Sequence, residues 1–278
     1  MRYRSILVQV DNAYGAKARV QAAVRLAVEQ DAALTGVFLK SEASPAYLVA
    51  EGIVTSAEAV DSFFREREAL AAQEHDEARA IFEHALADAG LEAHWQVLDG
   101  ITHEQITNSC RLHDLALLPR RMKVAPAAGD LAVEKVAMES GGPVLILPES
   151  GYPATFGRKI LVAWKDSRES ARALRDAWPF LTAAEEVHIV TAVRDGERGA
   201  DDDMARYLRE HGCKASRLLI DRDTDIPTGD IIRRHVDLLG ADMVVMGFYG
   251  HSRLREFILG GVSREILTEL SMPVLVSH

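Results

Sequence analysis

The sequence predicts an α/β protein made of two tandem, doubly wound, five-stranded parallel-sheet domains. Three observations lead there. One unit is written twice in the same order, short apolar runs alternate with helical stretches throughout, and the last two strand-like runs of each copy are apolar on both faces. With 278 residues the chain has room for two domains, each with a core of its own.

A repeat constrains architecture more than any local propensity does. Residues 6–11, ILVQVD, match residues 160–165, ILVAWK, and each is followed by a helix-like stretch, AKARVQAAVRLAVEQ or SRESARALRDAWPFL. DLALLP from Asp114 matches DMVVMG from Asp242, and PVLILP from Pro143 matches PVLVSH from Pro273. The offsets are 154, 128 and 130 residues, so the first copy carries about 25 extra residues. SEASPAYLVAEGIVTSAEAVDSF reads as that insertion, a surface excursion. Residues 63–89 follow with apolar positions at helical spacing, among them Phe64, Leu70, Ile81, Phe82 and Leu86, and are expected to form one long helix.

Strands are expected near 4–10, 34–39, 93–98, 114–118 and 143–147 in the first copy, and near 158–164, 186–191, 214–220, 242–246 and 273–276 in the second. Gly and Pro cluster at 149–157, so the domains are expected at 1–150 and 156–278. Strands apolar on both faces are covered by helices on both faces. PVLILP and PVLVSH lie at expected sheet edges, where unpaired backbone invites another strand, so pairing one with the other would bury both and give an intramolecular pseudo-dimer.

Composition excludes several function classes. Apolar residues make up 48% and charged residues 27%, which is globular. A formal net charge of -10 counts against general nucleic-acid binding. Cys110 and Cys213 are too few for a disulfide scaffold, no stretch is long and apolar enough to span a membrane, and the N-terminal apolar run is too short for a signal core. A cytoplasmic location is the expectation.

Ligands of such sheets bind beyond the carboxyl ends of the strands. After the fourth strand of the second copy comes GFYGHSRLREFILGGVSREIL, with the spacing G-x2-G-x9-G-G-x-S. Gly247, Gly250, Gly260 and Gly261 let backbone amides approach an anion, and Gly260, Gly261, Val262 and Ser263 stand where the next helix starts. His251, Arg253 and Arg255 add local positive charge. The plainer alternative is a strand-to-helix turn with Ser263 as an ordinary cap. No G-K-[ST] follows, and the loop does not come after a first strand, so neither the Walker nor the dinucleotide fingerprint applies.

This segment resembles the ATP-binding loop of the universal stress protein family, in which G-x2-G-x9-G is followed by a small residue and Ser or Thr. The resemblance covers nearly the whole chain as a tandem pair. It implies an adenine nucleotide alpha hydrolase-like fold, dimerisation through the fifth strand, and ATP held by Gly247, Gly250, Gly260 and Ser263; Gly261 stands where many members have Ser. Family members that bind ATP also have an Asp at the end of the first strand, near the adenine. The first copy has that residue, Asp11, but no glycine loop; the second has the loop but Lys165, with Asp166 one residue later. Asp166 takes the adenine role after a small shift, or Lys165 neutralises phosphate, or both are solvated strand-end residues.

Residues 1–150 carry 14 basic and 22 acidic side chains and residues 151–278 carry 18 and 20, net charges of -8 and -2, so phosphate is better tolerated in the second copy. Pro119, with no N–H, takes the place of the loop's first glycine in the first copy, beside a basic turn of Arg120, Arg121 and Lys123. The first copy is therefore expected to bind ATP poorly or not at all. None of the ten histidines forms a zinc motif; His75 and His84 fall on nearly opposite faces of one helix, and Mg2+ could arrive with a nucleotide. Ser167 and Ser263 lack a nucleophile elbow, and only His251 or Asp166 could position water. The functional expectation is an ATP-binding regulatory or stress-resistance protein with room for a protein partner and for homo-oligomers. The alternatives are a slow ATPase and a nucleotide-free interaction scaffold.

Overall fold

The computed structural model describes residues 2–40, 57–99, 103–122, 133–149, 152, 155–192, 202–213, 216–221, 226–248, 266 and 271–278. The first half runs β1 (Ser5–Gln9), α1 (Ala16–Gln30), β2 (Ala33–Lys40), α2 (Ala57–Leu86), β3 (Ala93–Asp99), α3 (His103–Cys110), β4 (Leu115–Pro119), α4 (Val133–Glu139) and β5 (Val144–Leu147). The second runs β6 (Lys159–Ala163), α5 (Arg168–Asp176), α6 (Trp178–Ala183), β7 (Glu186–Ala192), α7 (Asp202–Glu210), β8 (Ser216–Asp221), α8 (Thr228–Leu239), β9 (Met243–Gly247) and β10 (Val274–Ser277).

Every expected strand is present within two residues at each end. The helices differ more. The long helix starts at Ala57 rather than 63, because Ala57, Glu58 and Ala59 are good helix formers and Glu58 complements the N-terminal dipole. The rest of the expected surface excursion, residues 41–56, lies outside the described residues. The helical stretch after β6 is two helices, not one: Pro179 stands in the first turn of α6, where a missing N–H costs nothing, and the chain restarts there after Ala177.

One ten-stranded sheet has the order β3-β2-β1-β4-β5-β10-β9-β6-β7-β8. Among the described residues all pairings within each half are parallel, and only β5 and β10 meet antiparallel. Val144 faces Val276, Leu145 faces Leu275 and Ile146 faces Val274. At the repeat offset of 130, Leu145 and Leu275 are each other's counterparts, so the seam is an internal two-fold contact.

Strand alternation sends Ile6, Val8, Leu145, Val162, Val245 and Leu275 to one face, under α1, α2, α5 and α6. Leu7, Leu118, Ile146, Leu161, Val244 and Val276 go to the other, under α3, α4 and α8. Each apolar layer is continuous across the seam. Tyr3 adds a direct tie, donating its hydroxyl to the Asp176 carbonyl at 2.6 Å, with its ring 5.9 Å from that of Phe180.

The repeated aspartates have the same structural task in both halves. Asp114 Oδ2 accepts from the amides of Arg4 and Ser5 at 2.7 and 3.1 Å, and Asp242 accepts from those of Gly157, Arg158 and Lys159 at 2.9 to 3.2 Å. Each carboxylate thus closes the start of its half's central strand. Leu275→Ala opens a cavity in a layer shared by both halves. It is expected to lower unfolding free energy by about 2–5 kcal/mol while urea melts followed by far-UV dichroism and tryptophan fluorescence keep one coincident transition.

Candidate functional site

The sequence-predicted residues of the second half that are described converge at the carboxyl ends of β6 and β9, which are paired neighbours with Ala163 beside Met246. The chain leaves β6 through a tight turn in which the Ser167 amide donates to the Lys165 carbonyl at 2.7 Å. Ser167 then caps α5, its side chain accepting from the Ser170 amide at 3.2 Å, while Ser170 Oγ accepts from the Lys165 amide at 3.3 Å. With its backbone held this way, the turn leaves Lys165 and Asp166 exposed.

Gly247 is the last residue of β9, and its hydrogen faces the first turn of α5. A Cβ there would sit 2.4 Å from the Ser170 amide nitrogen and 2.6 Å from the Glu169 carbonyl carbon. This glycine is required by helix packing, whatever it does for a ligand. Gly250, His251, Arg253, Arg255, Gly260, Gly261, Val262 and Ser263 lie outside the described residues.

Sequence reasoning missed Glu169. It is buried in the first turn of α5, and Arg168 bonds its carboxylate. Burial pushes its pKa up, but hydrogen bonds from Arg168, from its own backbone and from Ser167, together with the Arg168 charge, outweigh this and bring it below the usual value. A fixed negative charge therefore occupies the positive end of the α5 dipole, which makes that terminus a poor seat for a second anion. Nothing in the sequence near Glu169 marks it as buried; only its contact with β9 does.

The first half arranges the corresponding corner differently. Asp11 forms an ion pair with Arg19 at 2.9 Å and accepts from the Ala13 amide at 3.0 Å. Arg19 is 2% exposed and also donates to the Gln9 carbonyl at 2.7 Å and to Gln9 Oε1 at 3.0 Å. The carboxylate that resembled an adenine contact is thus engaged by a buried guanidinium. At Gly15 a Cβ would lie 2.6 Å from the Glu149 carbonyl oxygen, so the chain leaving β5 presses on the start of α1. Pro119 ends β4 where Gly247 ends β9. Arg120 is part-buried, and its pKa is lowered by burial and then by Arg121, with Glu149 opposing; Lys123 is outside the described residues.

His75 accepts a hydrogen bond from Trp95 Nε1 at 3.1 Å and packs against the rings of Phe38 and Trp95, whereas His84 is exposed. Among the described residues no group of three or more His, Cys, Asp or Glu could hold a metal ion. Both cysteines are buried, and burial pushes the Cys110 thiol up to about 12. Iodoacetamide at neutral pH is expected to label neither thiol in native protein and both in urea, as counted by intact mass. Gly247→Ala is expected to lower ligand-free stability by about 1–3 kcal/mol, read by denaturant melting, because α5 must shift to admit the methyl.

Comparison with known proteins accords with this geometry. The sequence profile of the universal stress protein family matches residues 157–278. A universal stress protein of Synechocystis sp. is 26% identical over 169 residues, which are 58% of this chain and 57% of that protein, so the chain spans about half the length of this curated relative. The crystal structure of a universal stress protein from Archaeoglobus fulgidus DSM 4304 superposes with a TM-score of 0.71 at 18% identity, covering 98% of this chain and 95% of the other. That of a functionally unknown protein from Pseudomonas aeruginosa PAO1 gives 0.59 at 17%, covering 99% and 92%. These two likenesses establish the fold alone. No described helix is long and apolar enough to cross a membrane. The second half of the chain, residues 157–278, therefore matches the universal stress protein family, and the α/β fold of such proteins extends over nearly the whole chain.

Proposed function

We propose that the protein is a nucleotide-responsive regulator composed of domains 1–150 and 156–278, which takes ATP at the second domain and not at the first. One observation carries the reading. The G-x2-G-x9-G spacing starts at Gly247, on the strand end that lies beside the exposed Lys165 and Asp166. Paired strand ends at the carboxyl edge of a parallel sheet are where such folds take ligands, and successive glycine amides suit a polyphosphate. The exposed Lys165 ammonium supplies charge for phosphate, and Asp166 supplies an acceptor for adenine or ribose.

The first domain lacks these means. Its Asp11 is engaged by Arg19, and Pro119 offers no amide at the end of β4. The proposed role is regulatory: a nucleotide that binds two conformations unequally shifts their populations and so changes the surface offered to a partner. Binding is the reading that the residues support; turnover requires a group in line with the γ-phosphate, for which the sequence offers His251 or Asp166.

ATP at about 100 times its dissociation constant is expected to stabilise the native state by about 2.7 kcal/mol, seen as a rise in melting temperature. Gly260→Val is expected to abolish the rise, and Asp11→Ala to leave it in place. No rise at millimolar ATP, with or without Mg2+, would reject nucleotide binding in favour of an interaction scaffold. Phosphate release lost in Gly260→Val would add an ATPase activity.

A further inference from the structure

The two halves can be compared strand by strand, and the comparison isolates one side chain. In both halves the residue after the fourth strand donates its amide to the end of the fifth: Arg120 to the Leu147 carbonyl at 3.0 Å, Phe248 to the Ser277 carbonyl at 2.8 Å. This bond belongs to the fold, since it occurs with and without the glycine spacing. The second half adds another. His278 Nδ1 lies 2.8 Å from the Phe248 carbonyl oxygen. Phe248 is fully buried and immediately follows Gly247, so both of its backbone groups are held by residues 277 and 278. The counterpart of His278 is Pro148, which has no side-chain donor, and the counterpart of Gly247 is Pro119. The bond thus occurs in the half where the glycine spacing begins, and the residue at the equivalent position of the first half, Pro148, cannot make it.

We infer that His278 is a positioning residue of the second-half nucleotide site: its imidazole fixes the Phe248 carbonyl and with it the direction in which the backbone leaves β9 toward the ligand. The inference rests on the reading of that half as the ATP site. A carbonyl only accepts, so the ring proton sits on Nδ1, and in the neutral ring Nε2 is bare. Ordering Phe248 before the ligand arrives removes a conformational cost from binding. His278 does not need to touch the nucleotide to have this effect.

The test uses the full chain, ATP as probe, and the variants His278→Ala and His278→Asn; the asparagine side-chain N–H can reach the same carbonyl. Calorimetric titration is expected to show ATP affinity weakened about 3- to 10-fold in the alanine protein, the effect of one net hydrogen bond, and restored to within about twofold by asparagine. Amide exchange at Phe248 should quicken in the alanine protein and recover in the asparagine one, and the nitrogen-15 spectrum of the wild-type ring should show the Nδ1-protonated tautomer. Unchanged affinity in His278→Ala, an asparagine variant as weak as alanine, or a neutral ring protonated at Nε2 overturns the inference; the ring spectrum decides if the alanine protein does not fold. Wild-type protein that binds no ATP overturns the functional reading instead. The clamp is then judged by exchange: protection at Phe248 lost with alanine and regained with asparagine supports it, and protection unchanged with alanine overturns it.

Discussion

The antiparallel pairing of β5 with β10 is the constraint on which the rest of the molecule depends. Each half alone is a parallel sheet that ends in a short, fully buried strand, VLIL or VLVS, with no outer neighbour. Exposing such a strand would leave a row of unsatisfied backbone groups and an apolar stripe; pairing the two removes both costs together. Because Leu145 meets its own counterpart Leu275, one solution serves both halves, as in a symmetric dimer whose subunits have been joined. Covalent linkage makes that association independent of concentration.

The seam also sets where ligands can go. Strands of the two halves point in opposite directions across it, so their carboxyl ends open at opposite edges of the common sheet. Each half therefore has a separate corner of its own. β10 belongs to the seam through β5 and to the second-half corner through β9, where Ser277 pairs with Gly247. The Gly247 end is one strand away from the contact that holds the halves together, so a displacement there has a short mechanical route to the seam.

Joined halves are free to diverge while the fold they share is maintained. The shared part is visible in Asp114 and Asp242, which close equivalent strand starts with equivalent hydrogen bonds. Divergence is concentrated at the carboxyl edge. There the first half has Pro119, Leu147 and Pro148 and an Asp11 engaged by buried Arg19, while the second has Gly247, Ser277 and His278 and an exposed Lys165 and Asp166. The charge difference between the halves runs the same way, with the less acidic half keeping the glycine spacing. Glu169 is the exception, a buried carboxylate in the favoured half, stabilised by Arg168 and the helix terminus.

The sequence by itself determined the strand positions and the seam. Each of these follows from patterns read within a few residues of chain or from comparing one stretch with its repeat: apolar runs bounded by Gly and Pro, DLALLP against DMVVMG, PVLILP against PVLVSH. It also located the glycine spacing, because backbone chemistry of that kind is carried by residue type. Helix limits were less well marked, since Ala-rich and Glu-rich stretches such as residues 57–63 suit helix and surface loop alike, and the break at Ala177 depended on where Pro179 fell within a turn. Tertiary structure alone decided what the charged and special residues face. Arg19 reaches Asp11 across a helix turn and a strand end, Gly247 meets α5 from 77 positions away in the chain, and His278 finds a carbonyl 30 positions earlier. Such partners are set by how strands and helices stack, and no local pattern of residues encodes them.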